Sequence, residues 1–592
     1  MNRFSNLLYL LILGSLTFTA CKPNPKQATV DYKRTDNNVI IRLRAEPDRL
    51  NPVLMTSNYA RVIADQMYMY LLTVDPQTFE LIPYLAKALP TVQEITDGPW
   101  KGGLSYTFEI HNEAVWDNGT PVTGNDYMFS LKAIMNPLVP AERLRSYLTN
   151  IKDVQVDPNN PKKFTVFTNE KYILGTESVA NSFQVMPEYL YDPQGLMKNF
   201  TLVDLSDPSK TETLSKNQQI MQFAAEFDSE KFSREKGYIG GCGPYQFEEW
   251  ITGQKVVLTK KANWWGDQLA DEYPALAALP ERMEFLPIPD DATAINAIKA
   301  EDIDVSTDIP GADFNAMKEE PFTKERYNFY TPPLLQYACL YLNNDNPKLA
   351  DKRVRRALSH AINMDEIIKT VYEGLAQRVA VPISPSAPFI DSALKPITYN
   401  PEEAKRLLQE AGWKDSNGDG TVDKQINGEK VELNLSCYVA STSETGRNAL
   451  LLAQGNLKAV GINMEIVPKE FTVYMQDVRQ NNFEMASGGR TISPTLWEPT
   501  QDWYSEGAAG GDNHNNFQNA EADKLIEQIR VTLDEKARND LYEKLQRIIY
   551  DEQPAVFMIY RTGTMAIHKR FDAKPTIMAP GYIPTEFKLN VQ

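Results

Sequence analysis

The chain is 592 residues long, with 42% hydrophobic and 23% charged residues, which is enough apolar content for more than one sizeable core. Its formal net charge of -17 repels phosphate backbones and argues against nucleic acid as a partner. Four cysteines and four widely spaced histidines supply neither a disulfide framework nor a histidine-based metal site.

In chain order, Arg3 precedes the apolar run Leu7-Leu8-Tyr9-Leu10-Leu11-Ile12-Leu13, then Gly14-Ser15 and Phe18-Thr19-Ala20-Cys21. This reads as a secretory signal over residues 1–20, its apolar run being too short for a permanent spanning helix. Cys21 directly after Ala20 resembles a lipoprotein processing site, although Phe18 stands where Leu is commoner. Ordinary cleavage that leaves Cys21 free is the alternative. An acylated Cys21 would sit in a lipid bilayer, with residues 21–36 as an extended tether that opens on Lys22-Pro23-Asn24-Pro25.

Tyr106, Phe108 and Ile110 alternate with polar neighbours, which predicts a half-buried strand. Asp117-Asn118-Gly119 supplies a turn. Thr123 followed by Asp126 has capping-box spacing for a helix that Pro137 stops. Farther on, Gly240-Gly241-Cys242-Gly243 suggests a phosphate cradle or an activated thiol. Pro244 follows directly and denies the loop a helix N-terminus, so a tight loop joining two strands is the better reading. Val354, Ala357, Leu358 and Ala361 stripe one helix, and Asn363 with Glu366 starts another that suits Gly374 as its end. Asn400-Pro401-Glu402-Glu403 opens a third, which Gly412 closes. Leu541, Leu545, Ile548 and Ile549 stripe the last, ended by Pro554, and residues 555–560 read as a buried strand. Strands and helices alternate, so the class is α/β.

Asp415, Asn417, Asp419, Thr421 and Asp423 fall on the oxygen-donor positions of an EF-hand loop, with Gly420 at the sixth place. Ile426 stands where the bidentate Glu belongs, so a structural calcium site and a well-capped turn both remain open. No G-x-S-x-G, H-E-x-x-H or G-x-x-x-x-G-K-[ST] motif occurs, and pairs such as Glu248-Glu249 and Asp290-Asp291 are adjacent residues with no separation suited to hydrolysis. The chain is not expected to be an enzyme, and no cofactor beyond that candidate calcium is expected.

The order aromatic strand, Trp116-Asp117-Asn118-Gly119-Thr120-Pro121-Val122-Thr123 and aromatic helix resembles the signature of the extracytoplasmic solute-binding proteins of peptide and nickel transporters, family 5. Ala45–Pro52, Leu81–Ala86, Gly241–Tyr245, Asn263–Gly266 and Asp351–Asn363 resemble further landmarks of that family. Cys242 departs from the usual Thr, and residues 192–235 carry no landmark.

The resemblance implies a two-lobed α/β binding protein (type II, cluster C-like) with a domain inserted in the first lobe. Residues 37–75 and 191–330 would form that lobe, 76–190 the insertion, 331–559 the second lobe and 560–592 a return to the first. The crossings would lie near Thr331 and Tyr560-Arg561. It implies the binding component of an ATP-binding cassette importer, a lipid-anchored monomer in the cell envelope that hands peptides to membrane permease subunits. An oligosaccharide, metal chelate or anionic small molecule is the alternative solute.

The ligand contacts it implies are Thr56, Ser57, Asn58, Tyr59, Tyr147, Arg490, Thr491, Ser493, Trp497 and Trp503. Peptide-binding members carry an Asp that pairs with the ligand's amine, and here Ser493 takes that place. Either Glu498 or Asp502 moves in, or the amine is not bound there. Arg490, where relatives tend to carry an aromatic, would suit an anionic ligand group, with an ordinary surface Arg as the alternative.

Overall fold

The computed structural model describes residues 32–493, 496–508 and 512–590. The expected signal segment, Cys21 and most of the tether lie outside the described residues.

Val39, Ile41 and Leu43 are all buried in the strand Asn38–Leu43, the centre of a seven-stranded sheet. Its strand order is Tyr327–Tyr330, Met565–His568, Val305–Thr307, Asn38–Leu43, Arg282–Pro287, Lys255–Lys260 and Tyr245–Ile251. Asn38–Leu43 pairs in parallel with both Arg282–Pro287 and Val305–Thr307, while the outer pairs are antiparallel. A second sheet of six strands runs Ala376–Arg378, Ala555–Thr562, Pro333–Leu342, Met485–Thr491, Asn434–Ala440 and Asn463–Lys469. The first six residues of Ala555–Thr562 are buried, as the unbroken apolar run from Ala555 to Tyr560 predicts for a strand covered on both faces.

The signature segment builds the third sheet, whose strands run in the order Thr91–Glu94, Leu104–Glu109, Lys163–Thr168 and Ile151–Val156. Leu104, Tyr106 and Phe108 point inward. The turn closes with Gly119 N–H on the Trp116 carbonyl at 2.9 Å, Gly119 taking φ +81°. The helix Gly124–Met135 begins at a capping box in which Thr123 N–H donates to the Asp126 carboxylate at 2.8 Å. Such a cap contributes about 1 kcal/mol. One continuous core joins this sheet to the seven-stranded one.

Residues 191–235, expected in the first lobe, meet both that lobe and the inserted layer. The helix Gln218–Phe227 buries Ile220, Phe223, Ala224 and Phe227. Phe223 meets Phe129 edge-on at 6.1 Å, and Asn136 donates to the Ile220 carbonyl at 3.2 Å. The short helix Leu202–Leu205 packs on Gly124–Met135 and on Ile151–Val156. The segment therefore bridges the two, because its apolar stripe faces the inserted layer's helix while Ser233, Phe227 and Asp228 bond to Leu50, Asn51 and Arg49 of the first lobe.

Between the two large sheets the chain crosses twice. It leaves the first sheet at Tyr330 and enters the second at Pro333, then leaves at Thr562 and re-enters at Met565. The crossings run side by side: Gly563 N–H donates to the Pro332 carbonyl at 2.8 Å, and Pro333 pairs with Thr562. The return crossing thus lies at Gly563-Thr564 rather than at Tyr560-Arg561, because Tyr560 is buried and laddered to both Tyr337 and Gln377.

The Gly240–Gly243 loop does not join two strands. It links the helix Lys231–Arg234 to the strand Tyr245–Ile251. Any Cβ on Gly241 would come within 2.4 Å of the Met67 carbonyl oxygen, so close approach fixes glycine there. Burial pushes the Cys242 thiol up to about 12, which leaves it unreactive at neutral pH. Cys242, Cys339 and Cys437 are all buried and free. No helix among the described residues is long and apolar enough to cross a membrane.

Candidate functional site

Three parallel strands of the first sheet end on a common edge, at Leu43, Pro287 and Thr307, and crevices at the carboxyl ends of such strands are where ligands lodge in α/β folds. The same edge carries the return crossing, since Thr564 Oγ1 donates to the Ile309 carbonyl at 2.6 Å. Arg44 reaches the Asp308 carbonyl at 2.9 Å.

Thr56–Tyr59 leads into a helix of this lobe and is held by hydrogen bonds. Thr56 N–H and Oγ1 both donate to Asp48 at 2.8 Å, and Ser57 N–H adds a longer bond. Burial alone would raise the Asp48 carboxyl, but these hydrogen bonds hold it below the usual carboxylate range. Ser57 then caps the helix Asn58–Ala64 by accepting from Tyr59 N–H at 3.1 Å. Thr56 and Asn58 remain exposed, and half-buried Tyr59 packs on the first core.

On the second lobe, Arg490, Thr491 and Ser493 sit at the end of Met485–Thr491 that faces the outgoing crossing, with Thr491 opposite Gln336 and Ile492 N–H on the Leu335 carbonyl. Arg490 is already spoken for. It pairs with Asp502 at 2.8 Å and with Asp512 at 3.5 Å, and also donates to the Asp512 carbonyl. Burial pushes Asp502 up to about 6 despite this guanidinium, and pushes nearby His514 down to about 4 with Arg490 adding to the effect. The expectation that Arg490 waits for an anionic ligand is therefore corrected, because two aspartates compensate its charge. Of the two candidate carboxylates, Asp502 is the one brought in, and it is committed to Arg490. Glu498 instead accepts from the Thr500 backbone at 3.2 Å.

Two other expected contacts are core residues. Trp497 packs at a tilt against Tyr542, whose hydroxyl donates to the Trp497 carbonyl at 2.6 Å. Trp503 packs between Phe517 and Phe557. Both indoles are buried, as their large apolar area favours. Tyr147 ends the short helix Glu142–Tyr147 of the inserted domain, is 58% exposed, and makes no described contact with the second lobe.

Sequence reasoning missed a cavity of about 580 Å³ between the inserted domain and the second lobe. Phe79, Leu81, Leu89 and Ile173 line one side, with Glu177; Phe389, Leu496 and Arg538 line the other. Ile173 clasps the two sides together, its N–H donating to the Arg530 carbonyl at 2.8 Å, while Tyr172 lies under the Arg530 guanidinium at 5.5 Å. Such a volume suits a small ligand or one part of a larger one. The residues that build it come from segments spread between Thr78 and Asn539, so no local spacing could announce it.

The Asp415–Asp423 loop does not fit calcium. Asp415 accepts from Gly418 and Gly420 N–H at 2.6 and 3.0 Å, and Asp419 from Thr421 N–H and the Asn417 side chain. Asp423 turns to Ser416 and Lys430. The donors satisfy the loop's own backbone instead of converging, and among the described residues no three acidic, His or Cys side chains form a metal cluster. This is the capped turn of the two open readings.

A family model described as bacterial extracellular solute-binding proteins, family 5 middle, matches residues 80–512. The oligopeptide-binding protein AppA of Bacillus subtilis (strain 168) is 24% identical over 581 residues, covering 96% of this chain and 95% of its own. The solved structure of that protein with a nonapeptide superposes with a TM-score of 0.65 at 22% identity, over 94% of this chain and 100% of its own. NikA from Brucella suis in complex with Fe(III)-EDTA gives 0.72 at 18% identity, over 93% and 100%. These likenesses agree with the expected two-lobed α/β class and its inserted domain.

Proposed function

This chain belongs to the bacterial extracellular solute-binding proteins of family 5, the non-enzymatic substrate-binding components of ATP-binding cassette importers, and from that premise we propose that it captures peptides between its lobes and delivers them to a membrane permease while acylated Cys21 holds it at the membrane. The observation that carries the reading is the pair of hydrogen-bonded crossings at Thr331-Pro332 and Gly563-Thr564. Two adjacent, short connections let the sheets swing as rigid bodies, because only a few backbone torsions must change. Solute bound to both lobes then favours the closed form by its differential affinity.

Peptide is favoured by the oligopeptide-binding relative, which matches nearly the whole chain. A peptide also suits exposed hydrogen-bonding edges such as Thr56–Asn58 and Thr491, where bridging waters tolerate varied side chains. The second reading, a metal chelate, is favoured by NikA with Fe(III)-EDTA on the same scaffold and by Ser493 in place of the amine-pairing Asp.

Native mass spectrometry of protein purified without refolding tests the choice. A ladder of peptide masses is expected, and one non-peptide mass would replace peptide by chelate or another solute. Small-angle scattering should show a smaller radius of gyration with that solute than after its removal, and an unchanged radius at saturation refutes closure.

A further inference from the structure

We propose that residues 172–174 of the inserted domain are a latch for closure, in which Ile173 seats in the core of the second lobe and so sets how far the protein closes before solute binds. The inference rests on the two-lobe closure reading and holds whichever solute is carried.

The two cores carry the argument. The inserted domain shares one continuous core with the seven-stranded sheet, and among the described residues no side chain of the second lobe enters that core. Ile173 crosses in the other direction. It is 5% exposed and belongs to the second-lobe core that holds Trp497, Ile529 and Tyr542, the one buried residue of the inserted domain to do so among the described residues. Tyr172 and Leu174 flank it, half-buried against the same core. The bond from Ile173 N–H to the Arg530 carbonyl falls in the last turn of the helix Ala520–Val531. Carbonyls there lack partners within their own helix, and the opposite lobe supplies this one.

The loop that presents Ile173 is held by its own domain. Thr168 Oγ1 accepts from Leu104 N–H at 3.2 Å and donates to the Leu104 carbonyl at 3.1 Å. Asn169 N–H donates to the Asn150 carbonyl at 3.1 Å, and Gly175 N–H to the Tyr172 carbonyl at 2.9 Å. Lys171 pairs with Glu94 at 2.8 Å. The side chain is therefore offered without the ordering cost of a loose segment, and its β-branched form has few rotamers to lose.

The contact is built to release. Each lobe keeps a core of its own without it, and the cavity of about 580 Å³ beside Ile173 leaves the interface incompletely packed. Domains joined by so small a contact move relative to one another by default. On opening, the Ile173 N–H and the Arg530 carbonyl exchange each other for water at little net cost, so the burial of one isoleucine is the main loss. A bias of that size leaves the solute-free protein a mixture of open and closed forms, and bound solute completes the closure.

Scattering and hydrogen exchange on the full chain test this, with the solute removed by unfolding and refolding. The radius of gyration of the solute-free natural chain should lie between that of the chain as purified with its solute and that of solute-free Ile173→Ala. Removing three buried carbons should lower the closing equilibrium constant about 30-fold and Ile173→Val about fourfold, so the valine variant falls between. In exchange resolved by residue, protection of the amide at position 173 should drop at least threefold in Ile173→Ala. The Asn169 amide, bonded within the inserted domain, should keep its protection.

Equal radii and equal protection in the solute-free natural and Ile173→Ala chains overturn the latch and leave solute-driven closure standing. Loss of protection at both amides with an unchanged radius marks a local role for Ile173 and overturns it too. A radius that solute changes in neither chain overturns closure itself, and the latch with it.

Discussion

Asp304→Asn should weaken the first lobe at the point where the return crossing is anchored. Asp304 and Arg570 are each 2% exposed and meet through two bonds, at 2.6 and 2.7 Å. Asp304 also accepts from Ile40 N–H at 2.8 Å and from Arg34 at 3.2 Å. Arg570 follows the strand Met565–His568, which carries the chain back from the second lobe, and its other donors reach the carbonyls of Asp36 and Asn38. The pair therefore ties the return segment to the central strand. Neutralising Asp304 leaves the buried guanidinium with only the more distant Asp36 carboxylate, at 3.8 Å, as counter-charge, and breaking such a buried pair costs ~3–5 kcal/mol. At ~2–4 °C per kcal/mol for a unit of this size, the first-lobe transition in scanning calorimetry should fall by roughly 6–20 °C. Asp304→Leu combined with Arg570→Met should recover most of the loss, because apolar replacement removes the stranded charge. A fall of under about 2 °C in the single variant, or a double variant no better than it, would refute the reasoning.

Arg490→Ala should act on stability before it acts on ligand choice: it strips the counter-charge from Asp502, which then titrates above its present value of about 6. A carboxyl raised on folding loses stability as pH rises through its folded value, so the variant's deficit in melting temperature should be larger at pH 8 than at pH 4, and a pH-independent deficit contradicts this. Calcium and chelator should give the same melting temperature, and Asp415→Ala should cost about 1 kcal/mol in both, because the Gly418 and Gly420 N–H donors lose their acceptor; a calcium-dependent shift in the natural chain would restore the metal reading. Cys21→Ser should release the protein from membranes on fractionation, and retention of a processed Cys21→Ser chain would mean that another element holds it.

Local chemistry was legible in the sequence wherever contacts are short in sequence. The strand–turn–helix around Trp116, the Thr123 cap, the Lys352–Ala361 helix and the buried strand from Ala555 follow from period, cap and turn residues. The Gln218–Phe227 helix carried such a signal too: Asn217 caps it, and Ile220, Phe223, Ala224 and Phe227 recur at i, i+3, i+4 and i+7. That pattern gives a helix but not the layer it packs on, since an apolar stripe does not name its partner.

The site divides along the same line. Loop residues Thr56–Tyr59 and the strand end at Arg490 were expected at the site by resemblance alone. Which side chains are free was decided only in three dimensions. Trp497 and Trp503 look like ligand-stacking aromatics in sequence, yet the second core claims them, because burying an indole against Tyr542 or Phe557 gains more than leaving it in an open cleft. Arg490 reads as an unpaired cation until folding brings Asp502 and Asp512 to it across twelve and twenty-two residues. The cavity walls, drawn from Phe79 to Arg538, come together only because the inserted domain packs against the second lobe. Pattern fixes what depends on neighbours along the chain, whereas compensation of charge depends on neighbours in space, and only the tertiary structure supplies those.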